Sequence, residues 1–200
     1  MVRIVTVEGL DYSGKTTTIA DLARKKKNLC FNEGVVYPTG LTARLLSMAN
    51  QATELEREFL YTAIMIADKN EADIRNPGDE RIFIQDRYWP SVVSYGRFLN
   101  EEDSMHNSKD YSQLFIQPDT TILLSCSNEE ILRRSEKRGR KSVIDRVLLS
   151  QPKKVEALRQ EIEKSIEGLP HILRIDTTSK HVETVGNEIM AHLETLGLKY

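Results

Sequence analysis

The chain has 200 residues, enough for one globular domain with a substantial core, and its 40% hydrophobic and 29% charged residues are ordinary for a water-soluble fold. A formal net charge of −2 argues against the basic surface that a nucleic-acid partner needs, and no run of about 18 apolar residues offers a membrane span. Cys30 and Cys126 form no Cys-x-x-Cys pair and make a poor disulfide framework or metal site, so one domain over residues 1–200 in a reducing cytoplasm is expected.

The N-terminus enters a strand rather than a leader: Val2 to Val7 is β-branched and largely apolar. Gly9-Leu-Asp-Tyr-Ser-Gly-Lys-Thr16 follows and fits G-x-x-x-x-G-K-[ST], a pattern expected by chance only about 1% of the time in a chain of this length. Gly9 and Gly14 lack a Cβ and let the backbone wrap closely around an anion. Gly9, Tyr12, Ser13, Gly14, Lys15, Thr16 and Thr17 are therefore the candidate ATP-binding residues. The Lys15 ammonium would meet the outer phosphates, and the Thr16 hydroxyl is a candidate Mg²⁺ ligand. A helix is expected from Thr16 to about Lys27, with Ile19, Leu22 and Ala23 on one face and the run Arg24 to Lys27 as a solvated helix end.

Gly34 to Pro38 reads as the second strand, and Thr42 to Ala49 as a helix with Leu45, Leu46 and Ala49 inward. Thr53-Glu-Leu-Glu56 is a capping box that opens a long helix through Leu55, Phe59, Ala63, Ile66 and Ala67, ending near Asn76-Pro-Gly78. Tyr61, Met65 and Lys69 share another face, either exposed surface or a cleft wall. Arg81 to Asp86 is an apolar strand ending in a carboxylate. At the carboxyl end of a parallel strand Asp86 would sit beside the phosphate loop and hold Mg²⁺ or its water, and the planar fork of Arg87 suits a second phosphate. Each could instead serve a structural ion pair.

Pro90 fits the first turn of a further helix carrying Val92, Val93, Tyr95 and Phe98. Thr120 to Ser125 is the fourth strand, and Ser127-Asn-Glu-Glu130 caps a helix to about Lys137. The basic segment Arg133 to Lys141, interrupted by Gly139, is read as part of a closing lid, at about residues 137–150, over a solvated basic face. A helix with Val155, Leu158, Ile162 and Ile166, a fifth strand at His171 to Ile175, and a last helix burying Val182, Val185, Ile189, Leu193 and Leu196 complete the chain. The alternation predicts an α/β fold: an open parallel sheet of about five strands with helices on both faces, with a short Arg-rich lid.

The combination of GLDYSGKTT at 9–17, Asp86-Arg87-Tyr88, Pro118-Asp119 before a strand, and a basic lid ending in Asp145-Arg146 resembles the thymidylate kinase family. These enzymes pass the γ-phosphoryl of MgATP to a deoxynucleoside monophosphate, and the resemblance implies that the fold is of the P-loop kinase type. The resemblance implies that Asp11 turns towards the acceptor and helps place its sugar, and that Arg87 grips the acceptor phosphate. It also implies that Tyr37 and Pro38 line the acceptor site and that Tyr95 belongs to it. Tyr12 stands where one branch carries an arginine, so catalytic positive charge is expected from Arg138 and Arg140 in the lid. Arg44 and Arg87 favour a phosphorylated acceptor. Met65 stands where a phenylalanine usually stacks on the base, Lys69 where an arginine usually bonds it, and Gly96 where glutamine is frequent. The resemblance further implies a homodimer in the cytoplasm. The expected reaction is ATP- and Mg²⁺-dependent phosphorylation of dTMP to dTDP. Alternatives are a deoxynucleoside kinase and a non-kinase ATP-binding regulatory module.

Overall fold

The computed structural model describes residues 3–31, 40–49, 51–75, 81–100, 108–138 and 151–198. Five strands form one sheet: β1 (Arg3–Glu8), β2 (Leu29–Phe31), β3 (Ile82–Asp86), β4 (Thr120–Ser125) and β5 (Ile172–Asp176). All neighbours are parallel, in the order β2-β3-β1-β4-β5. Between them run α1 (Lys15–Lys25), α2 (Gly40–Ala49), α3 (Glu54–Arg75), α4 (Trp89–Asn100), α5 (Ser108–Leu114), α6 (Asn128–Arg138), α7 (Pro152–Ile166) and α8 (Val182–Thr195).

Strand alternation divides the interior. Val5 and Val7 of β1 join Ile84, Ile122 and Ile175 beneath Ile19 and Leu22 of α1 and Val185, Ile189 and Leu193 of α8. On the opposite face Leu10, Leu123 and Cys126 pack with Ile131 of α6 and Val155, Leu158, Ile162 and Ile166 of α7. A third cluster joins Met65 of α3 to Tyr88, Trp89 and Val93 around α4 and to Tyr111 and Phe115. The middle of the sheet is polar on one face: Thr6 is in register with Gln85 on one side and Thr121 on the other, and all three are buried. Thr6 and Thr121 bond hydroxyl to hydroxyl at 3.1 Å.

The expected alternation and parallel sheet are present, with two local differences. The described second strand is Leu29–Phe31, paired with Ile82 to Ile84, whereas Gly34 to Pro38 lies outside the described residues. Three residues after a basic run are too few to display a strand period, which is why the sequence reading passed over them. The capping box of α3 forms, the Glu56 carboxylate accepting the Thr53 N–H at 2.9 Å and its hydroxyl at 2.7 Å. The inward face of that helix is different from expectation: Phe59 and Ile66 are each 46% exposed, while Glu58, Ile64, Met65 and Asp68 are buried. The helix turns Met65 into the aromatic cluster around Trp89, and that rotates the Phe59–Ile66 stripe outwards. In α2 Thr42 and Ala49 are buried and Leu45 and Leu46 only partly so. Val182, at the start of α8, is 36% exposed.

Candidate active site

The chain leaves β1 in one direction, towards β2 and β3, and leaves β4 in the other, towards β5. The carboxyl ends of β1 and β4 therefore flank a topological switch point, where an open α/β sheet gathers its ligands. The loop from Gly9 to Lys15 rises there. Gly9 has φ 137°, and a Cβ on it would stand 2.2 Å from the Leu124 carbonyl oxygen of β4, so only glycine allows the loop to cross that strand. Tyr12 and Gly14 also take positive φ, 68° and 97°. The loop ends on α1, whose first turn holds no acid and receives no side-chain cap, leaving N–H groups and the positive helix end directed at the loop. Lys15 Nζ donates to the Leu10 carbonyl at 2.7 Å and is buried. Burial first, and then the neighbouring Arg87, pull the Lys15 pKa down to about 8, against the opposing pull of Asp11, Asp86 and Glu8.

Asp86 ends β3 next to the loop, and its Oδ2 accepts the Thr16 hydroxyl. Its Oδ1 is buried and bonds no described group. A carboxylate oxygen without a donor, one bond away from a hydroxyl shared with the phosphate loop, fits the oxygen-donor chemistry of Mg²⁺, and Thr16 and Asp86 are the residues that would hold it.

The next residue, Arg87, takes φ 69°, a left-handed conformation unusual for a side-chain-bearing residue. Its guanidinium is shared among three groups. Nη2 donates to Asp11 Oδ1 at 2.7 Å and to the Tyr95 hydroxyl at 3.1 Å, and Nη1 donates to Ser91 Oγ at 3.2 Å. It also lies 4.9 Å from the centre of the Tyr95 ring. Tyr95 closes the triangle by donating its hydroxyl to Asp11 Oδ2 at 3.2 Å. Burial opposes ionisation of Asp11, but the Arg87 and Lys15 charges overcome it and hold the carboxyl down at about 2. Burial likewise works against the Arg87 cation, yet Tyr95, Asp11, Asp86 and Glu8 keep it charged well above the ordinary range. Asp11 thus bonds Arg87 and Tyr95 rather than the start of α1.

The outer wall of the loop is held by α6. Arg134 donates Nη1 to the Tyr12 carbonyl at 3.0 Å and Nη2 to the Thr177 carbonyl at 2.7 Å, while Nε is anchored on Glu130 at 2.8 Å. Thr177 Oγ1 donates to the Ser13 carbonyl at 2.9 Å. One turn further, the Arg138 guanidinium lies 5.9 Å from the centre of the Tyr12 ring. The aromatic ring that stands in the loop thus carries the arginine expected to supply charge. Arg140, Tyr37 and Pro38, together with the side chain of Lys69, lie outside the described residues. Arg44 is exposed on α2 and makes no hydrogen bond to the Asp11–Arg87–Tyr95 group among the described residues. Thr17 is exposed in the first turn of α1, and Ser13 is buried.

Met65, expected on the acceptor side, is 7% exposed among Tyr88, Trp89, Val93, Tyr111 and Phe115. Gly96 lies against the buried Glu58 carboxylate: a Cβ at Gly96 would stand 2.4 Å from Glu58 Oε1. The missing side chain in α4 is thus matched by a carboxylate reaching across from α3.

Sequence reasoning missed Glu8, Ser91 and Thr177 and placed Arg134 in the lid. Glu8 is fully buried beneath α4, accepting the Tyr88 N–H at 2.9 Å and the Ser91 hydroxyl. Burial raises its pKa to about 7, against the Ser91 bond and the charges of Arg87 and Lys15. A charged residue closing an apolar strand, directly before Gly9, was the available signal. For Arg134 it was the i,i+4 spacing from Glu130.

A phosphate loop on the first strand, an Asp-Arg pair at the end of the neighbouring strand, and an arginine-bearing helix over the loop define a P-loop nucleotide kinase. The profile of the thymidylate kinase family matches residues 7–189. The chain belongs to the thymidylate kinase family, and so to the nucleoside monophosphate kinases. The probable thymidylate kinase of Methanococcus maripaludis is 28% identical over 198 residues, covering 95% of this chain and 94% of its own. That of Thermococcus kodakarensis is 28% identical over 209 residues, covering 96% and 97%. The fold resembles a solved thymidylate kinase from Candida albicans, at a TM-score of 0.71 and 20% identity, covering 98% of this chain and 93% of that one. It also resembles a deoxyadenosine kinase from M. mycoides, at 0.65 and 18%, covering 96% and 99%.

Proposed function

We infer that the enzyme transfers the γ-phosphoryl group of ATP to dTMP, giving dTDP and ADP. The observation that carries this reading is the Arg87–Asp11–Tyr95 group one residue beyond Asp86: a partly exposed cation, held by a loop carboxylate, faces the place where an acceptor phosphate would lie opposite the ATP phosphates. A water-activating NTPase has no use for that cation, and a nucleoside acceptor brings no phosphate to meet it.

In this reading the loop amides and Lys15 hold the β- and γ-phosphates. Lys15 exchanges its bond to the Leu10 carbonyl for phosphate oxygens. Arg87 exchanges part of its bond to Asp11 for the acceptor phosphate, and the freed Asp11 oxygen and the Tyr95 hydroxyl turn to the acceptor sugar. Arg138 moves from the Tyr12 ring onto the transferring group, with Arg140 beside it, so that charge is neutralised as the phosphoryl group passes. Thr16 and Asp86 would hold Mg²⁺, which would supply positive charge to the phosphates during transfer. Little proton chemistry is asked of the protein, because alignment and charge supply most of the acceleration. Met65 and Lys69 cover the base, with Tyr37, Pro38 and Arg44 on the acceptor side. We also take the enzyme to act in the cytoplasm as a homodimer; the outward Phe59–Ile66 stripe of α3 is the surface such a dimer would cover.

The test is ADP release measured with dTMP, dUMP, dCMP, dGMP and dAMP and with the corresponding nucleosides. Stimulation by dTMP above the ATP-only rate is expected. Stimulation by nucleosides alone identifies a deoxynucleoside kinase, and stimulation by none rules out a kinase of this kind.

A further inference from the structure

We propose that Glu8 is the positioning residue that orients the acceptor arginine from the end of the strand that leads into the phosphate loop. Glu8 is the last residue of β1 and immediately precedes Gly9. Its side chain points to the opposite side from Val7, under the start of α4, and is completely buried. A carboxylate in that position has to be matched by donors, and two are supplied by the Arg87 turn: the Tyr88 N–H at 2.9 Å and the Ser91 hydroxyl. Both sit where a helix N-terminus leaves its donors open, so Glu8 caps α4 from a neighbouring strand.

The connection continues to the guanidinium. Ser91 gives its proton to Glu8 and, through a lone pair on the same oxygen, accepts Arg87 Nη1 at 3.2 Å. Arg87 is therefore held between two carboxylates, Asp11 directly and Glu8 through Ser91. The backbone is held too: the Arg87 N–H donates to the Val7 carbonyl at 3.0 Å, and the next N–H goes to Glu8. Two consecutive residues of β1 thus grip two consecutive amides of a turn whose φ of 69° would otherwise relax. The charges facing Glu8 from the packed elements are Arg87 and, from α1, Lys15. An apolar residue could fill the volume, but it could neither satisfy the Tyr88 amide nor orient Ser91.

The inference rests on the kinase reading above, and the experiment separates the two. KM for dTMP and for ATP are measured in the wild type, in Glu8→Gln and in Glu8→Ala. Glu8→Gln keeps the shape and can still accept the Tyr88 N–H, but lacks the charge. Loss of a charged hydrogen-bond partner should raise the dTMP KM about tenfold or more in Glu8→Ala and by a smaller factor in Glu8→Gln, leaving the ATP KM unchanged. Equal increases in both KM values, or none in either, overturn the proposal. Amide hydrogen exchange without substrate provides the second readout, should Glu8→Ala not fold or the wild type not respond to dTMP. Exchange in residues 87–91 should be faster in Glu8→Gln than in the wild type, with the 9–16 loop unchanged. Equal exchange in 87–91, or acceleration spread over both segments, overturns it. An absence of dTMP turnover in the wild type counts against the kinase reading alone.

Discussion

Arg87 concentrates the chemistry of this molecule in one side chain. It donates to Asp11, Tyr95 and Ser91, stacks on the Tyr95 ring and sits in a left-handed turn. Each of those contacts uses the planar fork, which an ammonium cannot reproduce. Arg87→Lys keeps the charge, yet it should lower kcat/KM for dTMP by roughly 10–100-fold, the scale of losing a charge-assisted hydrogen bond, with little effect on ATP affinity. Steady-state kinetics with each substrate varied in turn would measure this. At this scale the legible part was contiguous. Gly9 to Thr16 could be read because its glycines, lysine and threonine are neighbours in the chain. Arg87 and Asp86 could be suspected because they end a strand. The Glu8–Ser91–Arg87 relay spans residues from different elements, and no local pattern marks it.

Helices α3 and α4 pack against each other, and their fit rests on one complementary pair. Glu58 fills the space a side chain at Gly96 would take. Gly96→Ala should therefore destabilise the fold by about 1–3 kcal/mol, as overpacking does, despite alanine's better helix propensity. Shortening the carboxylate in the same chain, as in Glu58→Ala, should make the alanine tolerable. Urea melts of the two single variants and the double variant would measure the coupling. The face of α3 was the least legible element. Its sequence carries two apolar stripes, and the choice between them is made by aromatic partners from α4 and α5, Trp89 and Tyr111, that lie outside its own sequence. The Thr53–Glu56 capping box, by contrast, is a local device, and the helix starts where it says.

Across the whole molecule, alternation of strands and helices was enough to predict a parallel α/β sheet, because a parallel pair needs a crossover and a helix supplies it. The order β2-β3-β1-β4-β5 was not legible, since register is decided by contacts between distant segments. That order is what brings the loop after β1, the carboxyl end of β3 and the helix after β4 to one edge. It also buries Glu8, with a consequence for overall stability. The folded pKa is about 7 against an ordinary 4.5, so the folded state binds the proton more tightly than the unfolded chain. The Glu8 contribution is complete below pH 4.5, diminishes as pH rises to about 7, and is level above that. Denaturant melts of the wild type, taken relative to non-titrating Glu8→Gln, should lose about 3 kcal/mol across that window. A difference that stays level between those pH values would mean that Glu8 ionises freely.

In the proposed reaction Lys15 and Arg87 hold two phosphorylated substrates on either side of one transferring group. The most direct measurement is a single-turnover experiment with ATP labelled at the γ-phosphate, Mg²⁺ and dTMP, separating the nucleotides after quenching. The label should move from ATP into dTDP in the wild type, with transfer strongly reduced in Arg87→Ala. Label released as free phosphate, or label remaining in ATP at saturating dTMP, would contradict that reaction.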